Sequence, residues 1–139
     1  MTKKNVVLVI DDDQGIRESL CILLKSRGLD VHGAADGAEG VSLFRKIRPD
    51  LVICDLIMPG QHGYQTITEI KRMDLEVRII AMSGGTPRTG GGRGQVGTTP
   101  EAMLAWSARF GADRVFVKPF EPSELLNEVF EMLPEAKAE

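Results

Sequence analysis

Five short apolar runs alternate along the chain with segments of helical periodicity, and the first of them, VVLVI at residues 6–10, leads straight into Asp11, Asp12 and Asp13. A continuous β-branched run of that length has the pattern of a strand buried on both faces. Two carboxylates about 4 Å apart repel by roughly 4 kcal/mol at an effective dielectric near 20, so something must offset three of them at the end of a buried strand.

The alternation continues to the C-terminus. Ile16, Leu20, Leu23 and Leu24 recur at helical spacing, and Gly28 can close that helix in a left-handed cap. Val31 to Ala35 is a weak second strand. Asp36 with Glu39 then forms a capping-box-like opening for a helix carrying Val41, Phe44 and Ile47, which Arg48-Pro49-Asp50 stops. Leu51 to Cys54 is a third strand that ends in Asp55; the loop LIMPGQHG and a helix with Ile67 and Ile70 follow. Val77 to Met82 and Val115 to Val117 are the fourth and fifth strands. Between them, Thr99-Pro100-Glu101 opens a helix through Phe110, ended by Gly111. A fifth helix, Pro122 to Leu133, places Leu126, Phe130 and Leu133 on one face.

Five strands alternating with five helices predict an α/β fold, with a doubly wound parallel sheet covered on both faces. At 139 residues and 42% hydrophobic content the chain is expected to be a single domain, 1–139. A net charge of −3 gives no bulk attraction to nucleic acid or to an anionic membrane. The N-terminal apolar run is cut by Asp11 before it reaches the length of a secretory segment, and no run approaches membrane-spanning length. Cys21 and Cys54 lie in apolar runs, where reduced core thiols are expected. The expected location is the cytoplasm.

In sheets of this kind ligands bind at the carboxyl ends of the strands. That rule gathers Asp11, Asp12, Asp13, Asp55, Ser83 and Lys118 on one rim, because each ends or follows a predicted strand. Several carboxylates around one point suit a hard divalent cation such as Mg²⁺, whose charge answers their repulsion. A lysine and a hydroxyl opposite suit phosphoryl oxygens, and Asp55 would then be the nucleophile that forms an aspartyl phosphate. The plainer account makes Asp13 only a helix cap and Lys118 only a solvated charge. It leaves the convergence of acids and lysine from separate strands unexplained.

The ordered set VLVIDDDQGIR, LVICDLIMPG, IIAMSG and VFVKPF resembles the receiver domain of bacterial two-component response regulators over nearly the whole chain. The resemblance implies a flavodoxin-like sheet of order 2-1-3-4-5, with Mg²⁺ held by Asp11, Asp12, Asp55 and the backbone carbonyl of Ile57. It implies that Asp55 accepts phosphate from a sensor histidine kinase or phosphotransfer protein, that Ser83 is the switch hydroxyl, and that Lys118 contacts the phosphoryl group. Output would then be a changed contact with a downstream protein target. The chain stops in EMLPEAKAE after the fifth helix, so no direct DNA binding and no membrane partner are expected. A stand-alone receiver and one excised from a longer regulator read alike at this level.

Two features depart from the family pattern. Val115 stands where an inward-swinging aromatic is usual, and Phe116 has the wrong strand parity to replace it. Residues 84–98, GGTPRTGGGRGQVGT, form a Gly-rich insertion; it approaches a phosphate-binding loop but carries Thr98 where that loop needs lysine. Two other functions remain open on the residues alone. Asp11 and Asp13 have the two-residue spacing of a haloacid-dehalogenase-like Mg²⁺-dependent phosphatase, with Gly15 in place of the expected threonine or valine. A degenerate receiver acting as a binding scaffold is the other, against which the intact acids and Lys118 argue.

Overall fold

The computed structural model describes residues 2–56, 63–83, 111–118, 120–134 and 137–138. Five parallel strands, β1 (Val6–Ile10), β2 (Asp30–Ala34), β3 (Leu51–Asp55), β4 (Arg78–Ser83) and β5 (Arg114–Val117), form one sheet in the order β2-β1-β3-β4-β5. This is the expected flavodoxin-like order. Four helices are described: α1 (Gln14–Ser26), α2 (Gly37–Ile47), α3 (Gly63–Met73) and α4 (Pro122–Met132). The helix expected at Thr99 to Phe110, the Gly-rich stretch 84–98 and Ile57 lie outside the described residues.

Strand alternation divides the core into two layers. Val7, Val9, Ile53, Ile80 and Met82 face α1 and α4 on one side of the sheet. Leu8, Ile10, Val52, Cys54, Ile79 and Ala81 face α2 and α3 on the other. Both faces are covered, which is why β1, β3 and β4 read as continuous apolar runs and not as alternating ones. No described helix is long and apolar enough to cross a membrane.

Local chemistry sets where the helices begin and end. The Asp13 carboxylate accepts from Ile16 N at 3.1 Å and caps α1, while Gly28, at φ +90°, leaves it through the left-handed region. Asp36 accepts from Glu39 N at 2.8 Å, and the Glu39 carboxylate accepts in turn from Ala35 N at 2.8 Å, so α2 opens on reciprocal caps. The C-terminal helix differs from expectation on one point. Its buried stripe is Leu125, Leu126, Val129 and Met132, whereas Phe130 is 44% exposed. Leu126 and Leu133 do lie inside, but the stripe centres on Val129 and turns Phe130 outward.

Candidate functional site

The sheet register assembles the rim. Ile10 pairs with Cys54, so the next residues, Asp11 and Asp55, leave adjacent strand ends side by side. Ser83 pairs with Val117, and Lys118 N donates to Ser83 O at 2.8 Å, which carries the lysine to the same end of the sheet. Asp11 and Asp55 are buried and Asp12 is exposed, with one carboxylate oxygen from each within 4.8 Å of the others. These three could hold a metal ion. Asp13 stands apart from them, its carboxylate committed to the N-terminus of α1.

The Lys118 ammonium lies 3.1 Å from Asp11 Oδ2 and 3.6 Å from Asp55 Oδ1. The first is a charge-assisted hydrogen bond; the second is an ion pair only, and leaves the buried Asp55 Oδ1 without a hydrogen-bond partner. One ammonium against three carboxylates leaves two formal negative charges in the cleft. A divalent cation matches that remainder, and an all-oxygen donor set suits a hard one. The orphaned buried oxygen points to the same fit.

Burial pushes the Asp55 carboxyl up to about 6; Lys118 opposes the shift, and the Asp11 and Asp12 charges add to it. A carboxyl whose pKa rises on folding stabilises the fold when protonated, an effect present below its ordinary range and lost as pH rises through about 6. In chelator at neutral pH, Asp55→Asn should therefore exceed the parent protein in stability by about 2 to 3 kcal/mol. The two should converge below about pH 4. Urea titrations at both pH values check this, and equal stabilities at neutral pH would contradict the described electrostatics. The neighbouring Cys54 thiol, fully buried, is driven up by burial and by the Asp55 and Asp11 charges. It stays protonated, and so does not compete as a nucleophile.

Two residues support the rim that motif spacing does not single out. Arg17 Nη1 donates to the Asp11 carbonyl at 2.8 Å, tying the acidic loop to α1. Gly63, the first residue of α3, donates to Leu56 O at 2.8 Å, and a Cβ there would collide with Asp55 O and lie 2.6 Å from Leu56 Cα. A helix opening on glycine, a poor helix former, is the sequence signal for such a close approach. Ser83 is half-buried at the end of β4. Val115 packs on the α2/α3 layer and Phe116 on the α1/α4 layer, as their parity requires.

The sequence pattern of the response regulator receiver domain matches residues 7–89, more than half of the chain. The chain belongs to the response regulator receiver family. Chemotaxis protein CheY of Thermotoga maritima is 34% identical over 127 residues, covering 88% of this receiver and 95% of that protein. DNA-binding response regulator MtrA of Mycolicibacterium smegmatis is 33% identical over 128 residues, covering 92% of this receiver but 50% of MtrA. The receiver thus spans about half the length of the MtrA proteins it matches. Among solved structures, Vibrio cholerae CheY4 superposes with a TM-score of 0.79 at 27% identity, over 94% of this receiver and 100% of CheY4. A receiver is a phosphoacceptor switch, and neither the phosphatase nor the scaffold alternative finds support among these relatives.

Proposed function

We propose that Asp55 is the phosphoacceptor, that Asp11, Asp12 and Asp55 hold Mg²⁺ with the Ile57 carbonyl as a further donor, and that Lys118 and Ser83 bind the phosphoryl oxygens. The observation that carries this reading is the position of Asp55: a buried carboxylate at the end of a central strand, one oxygen without a hydrogen-bond partner, 3.6 Å from the Lys118 ammonium. In the reaction an Asp55 carboxylate oxygen attacks phosphorus while the phosphorus–nitrogen bond to a kinase or phosphotransfer-protein histidine breaks. The histidine nitrogen keeps the bonding pair and takes up a proton. Such transfers run through a loose transition state whose charge sits on the equatorial oxygens, so positioning and opposing positive charge do most of the work. Mg²⁺ supplies part of that charge when bound. Lys118 would supply the rest, exchanging its bond to Asp11 for one to the incoming group.

A receiver of this kind turns over no free substrate beyond its own phosphoryl group, and works where sensor kinases present phosphohistidine, in the cytoplasm. Its output is a changed contact with a protein target; DNA binding is what MtrA's name says of that longer protein. Incubation with acetyl phosphate and graded Mg²⁺ tests the site. Phosphoryl incorporation should require the cation, and Asp11→Ala and Asp12→Ala should each raise the Mg²⁺ needed for half-maximal incorporation by about 10-fold or more, since each removes a charged ligand. An unchanged Mg²⁺ dependence in both variants would exclude the proposed metal site.

A further inference from the structure

Lysine has a flexible stem, and holding its ammonium in one place costs rotamer entropy that the surroundings must offset. Lys118 is nonetheless 18% exposed and sits within 3.6 Å of two carboxylates. Its amide is held by Ser83 O, which fixes the chain on the N-terminal side of the lysine. On the C-terminal side, α4 starts without the usual anchor, because its N-cap, Glu121, makes no side-chain capping bond. Aromatic contact takes that place. Phe116, two residues before Lys118, and Phe120, two residues after it, meet edge to face with ring centroids 5.5 Å apart and planes at 70°. Both pack on the α1/α4 core layer. Phe120 also stands immediately before the N-cap, with the fully buried Leu125 at the fourth helical position, the spacing of a hydrophobic staple.

We propose that Phe116 and Phe120 are positioning residues for Lys118: their edge-to-face contact closes the chain around the lysine and holds its ammonium over the Asp11–Asp55 cleft. The pair lies on the sheet face opposite Val115. In this receiver the aromatic constraint on the switch region thus acts on the lysine from the α1/α4 side. The inference rests on the reading that Lys118 contacts the phosphoryl group.

The test is a mutant cycle on the full chain, reading the rate of phosphoryl incorporation from acetyl phosphate and Mg²⁺ affinity by calorimetry. Phe120→Ala should slow incorporation by roughly 3- to 10-fold, the scale of one aromatic pair, with Mg²⁺ affinity unchanged because the metal ligands are carboxylates. Phe120→Tyr, which keeps the ring, should restore the rate. In a Lys118→Ala background the Phe120→Ala change should cost nothing further, since its effect runs through the lysine. Equal losses in both backgrounds would overturn the inference while leaving the role of Lys118 intact. A Lys118→Ala rate equal to that of the parent would instead overturn the reading on which it rests. Should Phe120→Ala fail to fold, Phe120→Leu against Phe120→Tyr decides: a slower Leu variant with a matched melting temperature supports the pair, and equal rates refute it.

Discussion

Gly63→Ala is expected to destabilise the protein by at least about 3 kcal/mol and to abolish phosphoryl incorporation even where the variant remains folded. The cause is steric. The added carbon would collide with the carbonyl oxygen of Asp55 and lie 2.6 Å from Leu56 Cα. Both are backbone atoms, so no rotamer change relieves the contact; either α3 lifts away from the sheet or the end of β3 shifts. The first course opens the layer packed by Ile67 and Ile70, both fully buried. The second displaces Asp55 itself from Lys118 and the other acids. Gly15→Ala is the matched control, because a Cβ there meets only Asp13 Oδ1, at an ordinary 3.4 Å. Within helix α1 that change should stabilise by about 0.5 to 1 kcal/mol. Denaturant unfolding of the two variants beside the parent protein checks the opposite signs.

The fold was legible because each of its devices has a local signature. Asp13, Asp36 and Gly28 cap helices where their side chains or lack of one allow, and the apolar runs of β1, β3 and β4 are continuous because both sheet faces are covered. The rim was legible for a related reason: in a parallel sheet the carboxyl ends of all strands point the same way, so residues that follow strands converge whatever their separation in sequence. Register, however, is a tertiary property. That Lys118 sits closer to Asp11 than to Asp55, and that Asp55 keeps a buried oxygen without a hydrogen bond, follows from how β5 is staggered against β4 and β4 against β3. The support from Arg17 and Gly63 was hidden likewise, since one acts through a backbone carbonyl and the other through the absence of an atom. Phe130 turned outward because periodicity locates a helical stripe only to within about a residue, and the stripe here centres on Val129.

The largest functional effect belongs to Asp55, among the described residues the one buried acid that combines a strand-end position, an oxygen without a hydrogen-bond partner and an ammonium within reach. Asp11 is equally buried, but its carboxylate already accepts from Lys118 Nζ and from Asp13 N, and Asp12 is exposed. Asp55→Asn keeps the shape and removes the nucleophilic charge, so phosphoryl incorporation should fall to background. The decisive measurement is to phosphorylate the protein with acetyl phosphate and Mg²⁺, reduce the acyl phosphate with borohydride, and locate the resulting homoserine by peptide mass spectrometry. Homoserine at position 55 alone, absent from Asp55→Asn, is the result expected; homoserine at position 11 or 12, or undiminished phosphoryl incorporation in Asp55→Asn, would contradict the assignment of the acceptor.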